Sequence, residues 1–313
     1  MRPQGYQLNR RQLFFAYFMD CQTPGKPGGG PDLTWEMAEK AVHGICELFA
    51  ERGLLHCLGL CSEPEVMRRQ AVLFREMQDR GCWLTLHFQA RAYQPPGCEE
   101  LPWDRPLASY DYDEQFELLR IATDDWEQSC GQKAVTFSAC CAQANDFTHP
   151  IIAELGYRQC YTSVPGRYFP EAHQRWWGAY PHSRHCSSKS RLIPGELDLY
   201  EVPHTHELNP RPGPVPGTWT VTDCRAEHEL SYEDTLAMAA ASIEDMLRRD
   251  HPLLYLLVPT HNTWDVADRT SGRRKALETA IDVAYAVADQ FGLELTPASL
   301  PEFHAEADRL GAF

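Results

Sequence analysis

Short apolar runs alternate with helix-spaced apolar patterns along the whole chain, and this alternation is the signature of a mainly parallel sheet with helical crossovers. The first run, LFFAYFM at about Leu13 to Met19, is followed by a loop rich in glycine and proline, TPGKPGGGPD. A helix opens near Thr34, carries Ala38, Ala41, Val42, Ile45 and Phe49 at spacings of three and four, and stops at Gly53. Further strands are expected near Leu54 to Leu60, over WLTLHF, AVTFSA, YRQCYTS and LDLYEV, and over LLYLLV. Helices are expected at about Glu63 to Gly81, Asp113 to Cys130, HPIIAELG, Tyr232 to Arg249 and, as the last element, Arg273 to Phe291. The stretch from Pro165 to Pro194 and the segment NPRPGPVPG read as long loops. Seven strands with following helices predict an open or irregular (β/α) barrel formed by residues 1–313 as one domain.

A length of 313 residues with 43% hydrophobic and 23% charged residues suits such a domain. The formal charge of -15 argues against nucleic acid and anionic membranes as partners and leaves small molecules, neutral sugars and cations. The first apolar run is too short to span a bilayer and no small-residue cleavage site follows it, so a cytoplasmic location is the expectation. A homo-oligomer is left open. Twelve cysteines occur without a CxxC pair. Cys46, Cys57, Cys61, Cys82, Cys140, Cys141 and Cys160 fall in apolar segments and are expected to be buried free thiols.

Ligands in parallel α/β folds bind at the C-terminal strand ends. Asp20 ends the first strand, His87 the third with Gln89 and Arg91 just beyond, and Asn145 and Asp146 follow the fourth. His261, Asn262 and Asp265 end the last strand. An aspartate and histidines converging from separate strands could bind a divalent metal or form an acid/base pair. Trp176 and Trp177 could stack on a sugar face. His204 and His206 read as a solvated turn, and His149 and His173 as structural.

These residues, with QANDFTHPIIAELGYRQCYTSVPGR and PTHNTWDVAD as the most specific pieces, resemble the polysaccharide deacetylases of carbohydrate esterase family four. The resemblance implies a distorted (β/α)7 barrel that holds a divalent metal, zinc being the expected one, and hydrolyses N-acetyl or O-acetyl groups on a carbohydrate or related small molecule. It also implies that Asp20 and His87 bind metal and that His261 acts as the acid. The second metal histidine would fall on Gln89 or Arg91, the general base on Met19, and the arginine after the fourth strand near Ser138. A thioether cannot take a proton, so Asp146, Asp265 or His206 would have to supply the missing parts, with Asn145, Asn262 and the two tryptophans lining the substrate. The competing expectations are a catalytically degenerate barrel that binds ligand without turnover and a metal-independent lyase or isomerase.

Overall fold

The run that opens the sequence becomes β1 (Gln12–Cys21), in which every residue after Gln12 is buried. Burial on both faces explains why it reads as a continuous apolar stretch rather than an alternation. The computed structural model describes residues 11–93 and 105–311. After β1 come α1 (Trp35–Glu51), β2 (Leu58–Ser62), α2 (Pro64–Asp79), β3 (Trp83–Phe88), α3 (Tyr112–Cys130), β4 (Thr136–Ala139), α4 (Thr148–Glu154) and β5 (Gln159–Cys160). The helix starts carry local signals: Thr34 caps α1 by accepting from the Met37 amide, and Asp111 and Glu114 form a reciprocal capping box on α3.

The remaining strands are β6 (Tyr168–Phe169), β7 (Gln174–Arg175), β8 (Arg184–His185), β9 (Tyr200–Glu201), β10 (Arg211–Pro212), β11 (Trp219–Thr220), β12 (Leu254–His261) and β13 (Glu294–Pro297). The later helices are α5 (Tyr232–Arg248), α6 (Gly272–Gln290) and α7 (Leu300–Leu310). The main sheet runs β12-β1-β2-β3-β4-β5-β9, all parallel, with β8 antiparallel on its far edge. These seven parallel strands curl into the expected distorted barrel. Thr205 draws the two edges together: its amide donates to the Leu257 carbonyl at 2.9 Å, and its hydroxyl accepts from the Leu257 amide at 3.0 Å.

Three parts of the chain depart from the sequence reading. The residues from Pro165 onward are not simply loop, because β6, β7, β10 and β11 form a second, four-stranded antiparallel sheet that includes part of NPRPGPVPG. Its two-residue strands are too short to leave a periodic pattern. The chain also continues past α6: β13 runs parallel to the first half of β1, and α7 places Phe303 against Phe14 and Tyr255 at the N-terminal end of the barrel. Cys57 belongs to a 3-10 turn, Leu55–Cys57, and the second strand begins only at Leu58.

Candidate active site

Parallel pairing sets the first contact of the site. Asp20 and His261 are register partners on β1 and β12, so both side chains leave the sheet on the same face. His87 and Ser138 are register partners on β3 and β4. With Tyr161, Arg167 and Cys141 these residues line one cavity of about 250 Å³ at the C-terminal strand ends.

Two histidines in this cavity have different partners. His87 is buried, with Nδ1 2.6 Å from the Ser138 hydroxyl and 3.3 Å from Asp20 Oδ1, while its Nε2 has no partner among the described residues. Burial pulls its pKa below the ordinary histidine value; Asp20 works against this, and His261 adds to it. The Tyr161 hydroxyl donates to the same Asp20 oxygen at 3.3 Å. His261 instead has Nδ1 2.9 Å from Glu227 Oε1. Burial pulls its pKa down too, but the hydrogen bond and charge of Glu227, with Asp20 beyond, outweigh it and the net shift is upward.

Glu227 sits in a 3-10 turn, Ala226–His228, and its Oε1 also accepts from the His261 amide at 2.8 Å, the Thr260 hydroxyl at 3.1 Å and Trp264 Nε1 at 3.4 Å. Although burial opposes the charge, the His261 hydrogen bond holds the carboxyl down at about 2.

Positive charge comes from two arginines. Arg225 is tied to the fully buried Asp223 by both Nε, at 2.6 Å, and Nη2. Arg167, held down in pKa by burial, lines the cavity with no ion pair among the described residues. Both arginines also border an adjoining cleft of about 710 Å³. Cys141 is exposed and has a left-handed backbone (φ 57°), as has Ala142 (φ 56°). Its thiol is held down to about 6, first by the neighbouring Cys140 sulfur at 3.2 Å and, against burial, by His261 and the two arginines. This corrects the expectation of a buried free thiol at Cys141. His204 and His206 are buried rather than solvated, and His204 lines the cavity.

The structure brings Asp20, His87 and His261 together and places the other sequence candidates in supporting roles. Asp146 accepts from the Arg191 amide and guanidinium at 3.0 and 2.8 Å, and Asp265 from the Ala267 amide at 2.9 Å; neither lines the cavity. Asn145 bridges Ala108, Tyr110 and Phe147. Asn262 is fully buried and clamps the Gln22 backbone at 2.9 and 3.2 Å. Trp176 is a core residue that donates to the Ala142 carbonyl at 2.7 Å, whereas Trp177 is half exposed and packs on Trp219. Met19 is fully buried and does not line the cavity.

The metal expected at Asp20, His87 and Gln89 meets a short donor set. The Gln89 amide nitrogen donates to the Pro27 carbonyl instead of facing Asp20 and His87. Among the described residues, two groups of three or more His, Cys, Asp or Glu donors approach within 4.8 Å of one another, and neither includes Asp20 or His87. Catalytic metals normally have three protein ligands, so the residues at the strand ends do not fit one.

Glu227, Arg167 and Arg225 were not legible as site residues. They sit in segments without strand or helix periodicity. The only signal for Arg225 and Glu227 is the density of charge in DCRAEHE, while Arg167 closes the piece QANDFTHPIIAELGYRQCYTSVPGR without being marked there as a site residue.

No family model matches the chain, and no curated protein matches it in sequence. Its fold is nevertheless shared with solved structures. A protein assigned as a polysaccharide deacetylase from Mycobacterium smegmatis superposes with a TM-score of 0.61 at 12% identity, over 98% of this chain and 93% of that one. PuuE allantoinase gives 0.58 at 9% identity, over 96% and 92%. A second protein assigned as a polysaccharide deacetylase, from Pseudomonas aeruginosa PAO1, gives 0.54 at 12% identity, over 95% and 91%. The chain therefore has the polysaccharide deacetylase fold.

Proposed function

We propose that the chain is a hydrolase that removes an acyl group, held as an amide or ester, from a carbohydrate or related small molecule in the strand-end cavity. The observation that carries this reading is the pair of histidines that line one cavity with different partners, His87 Nδ1 on Asp20 and Ser138 and His261 Nδ1 on Glu227, which shift their pKa values in opposite directions. Such divergence suits one group to act as base and the other as acid. The fold relatives assigned as deacetylases supply the substrate class.

His87 is the base. Asp20 and Ser138 face Nδ1, which leaves the neutral Nε2 to take a proton from water as its oxygen adds to the acyl carbonyl. Arg167 and Arg225 stabilise the resulting oxyanion. His261, protonated and oriented by Glu227, then gives its proton to the leaving nitrogen or oxygen as the carbon–heteroatom bond breaks. The donor set at the strand ends is short of a metal site, so every step runs on side chains and water, and zinc has no assigned part in them.

Acyl release from a panel of N- and O-acetylated aminosugars tests the proposal. Turnover should fall by about 10²- to 10⁴-fold in His261→Ala and in His87→Ala. Ligands that raise Tm without any release across the panel would instead establish the binding-only alternative.

A further inference from the structure

A second cluster of reactive side chains lies outside the cavity. His149 at the start of α4, Cys160 at the end of β5, Cys186 just after β8 and Glu201 at the end of β9 bring one donor atom each to within 4.8 Å of all the others, and all four are buried. Sheet pairing builds the cluster, because Cys160 and Glu201 are register partners on β5 and β9 and the Cys186 amide donates to the Leu199 carbonyl leading into β9. We propose that these four residues bind one structural zinc ion.

Two of the three distances among these donors match a tetrahedral centre. Zinc bonds of about 2.3 Å to sulfur and about 2.0–2.2 Å to nitrogen and oxygen require edges of about 3.8 Å between two sulfurs and about 3.3 Å between nitrogen and oxygen. Cys160 Sγ and Cys186 Sγ are 3.9 Å apart, and His149 Nε2 and Glu201 Oε2 are 3.3 Å apart. The remaining measured edge, Cys160 Sγ to Glu201 Oε2, is tighter at 3.1 Å.

Three further observations point to a cation. His149 Nε2 is buried, makes no well-formed hydrogen bond among the described residues and faces Glu201 Oε2 at 3.3 Å, a spacing at which both atoms can share one ion. Glu201 Oε1 is fixed by the Ser163 amide and hydroxyl, each at 2.9 Å, which turns Oε2 toward the cluster as an outer-shell partner turns a ligand. Two thiolates and a carboxylate around a divalent ion leave one negative charge, and the fully buried Arg184, register partner of Glu201 across β8 and β9, lies beside it to balance that charge. All four positions are protein donors, so the site is closed and structural rather than catalytic. It would pin the β5–β9 edge, from which Thr162 and Val164 reach the cavity.

The test is made on the full chain, purified without chelator after expression with added zinc. Elemental analysis should give about one zinc per chain. Zinc K-edge absorption should resolve two sulfurs at about 2.3 Å and two lighter ligands at about 2.0–2.2 Å. In Cys186→Ser the zinc content should fall at least about 10-fold. Should that variant fail to fold, the absorption spectrum of the wild-type chain decides alone. A shell of nitrogen and oxygen only, or a zinc-free chain, with or without a Cys160–Cys186 disulfide in its peptide map, would overturn the proposal. None of these outcomes bears on acyl release.

Discussion

Glu227 Oε1 lies 2.9 Å from Nδ1 of His261 and accepts the backbone N–H of the same residue at 2.8 Å. One carboxylate oxygen thus fixes both the ring and the strand end that carries it. This sets the tautomer and leaves Nε2 as the nitrogen that can serve a bound molecule.

Replacing this carboxylate should alter pH dependence as well as rate. In Glu227→Gln, kcat for acyl release should drop by roughly one to two orders of magnitude. Glu227 raises the His261 pKa, so its loss lets His261 deprotonate earlier, and the alkaline limb of the kcat profile should move to lower pH. A lower kcat with an unmoved limb would mean that Glu227 does not tune the acid.

The same pair predicts a stability window. Glu227 has a folded pKa of about 2 against 4.5 ordinarily, so its contribution is present above pH 4.5 and lost as pH falls toward 2. His261 is shifted upward, so its contribution is complete below its ordinary value of 6.5 and is lost as pH rises through the folded value. The stability difference between wild type and Glu227→Gln, from urea midpoints, should be greatest between pH 4.5 and 6.5 and shrink on both sides.

Cys141 should be the first of the described cysteines to react. It is exposed and held down to about 6, whereas the others are buried. Brief iodoacetamide treatment at pH 7, followed by peptide mapping, should label Cys141 at least about 10-fold faster than Cys46, Cys61 or Cys82. Equal labelling would show that the thiol is shielded.

Asn262 provides a control between binding and stability. Its side chain satisfies both the amide and the carbonyl of Gln22, so Asn262→Ala leaves two backbone groups unpaired and should cost about 2–4 kcal/mol by urea unfolding. KM should stay within about twofold. A large rise in KM at unchanged stability would return Asn262 to the substrate.

Arg167 should govern charge preference. It lines the cavity without an ion pair among the described residues, and a charged hydrogen bond contributes about 1.5–3 kcal/mol. Arg167→Gln should therefore weaken carboxylate-bearing acylated substrates by about 10- to 100-fold relative to neutral ones. An unchanged ratio would place substrate charge elsewhere.

Strand ends were legible because the sheet imposes itself on sequence. WLTLHF becomes β3 without a shifted boundary, and Asp20, His87 and His261 meet as their positions at strand ends implied. What stayed hidden lies where no period exists. Glu227 sits on a three-residue turn, and β6 to β11 are strands of two residues each. His149 and Cys186 could not be paired from sequence either, since their partnership depends on which strands β5 and β8 flank. The resemblance led to Asp20, His87 and Gln89 as metal ligands because it matched motif positions, whereas the Gln89 side chain is turned to the Pro27 carbonyl.

The pairing of Asp20 with His261 across β1 and β12 has a consequence for how such a protein can be remodelled. Their separation is set by the interstrand repeat of about 4.8 Å, not by any connecting segment. Loops above the barrel can be exchanged, lengthened or recruited to a new ligand while this spacing stays constant. Variation in the segment bearing Arg167 and Arg225 would then alter what is accepted at the mouth, and the distance between the two strand-borne groups would be inherited unchanged.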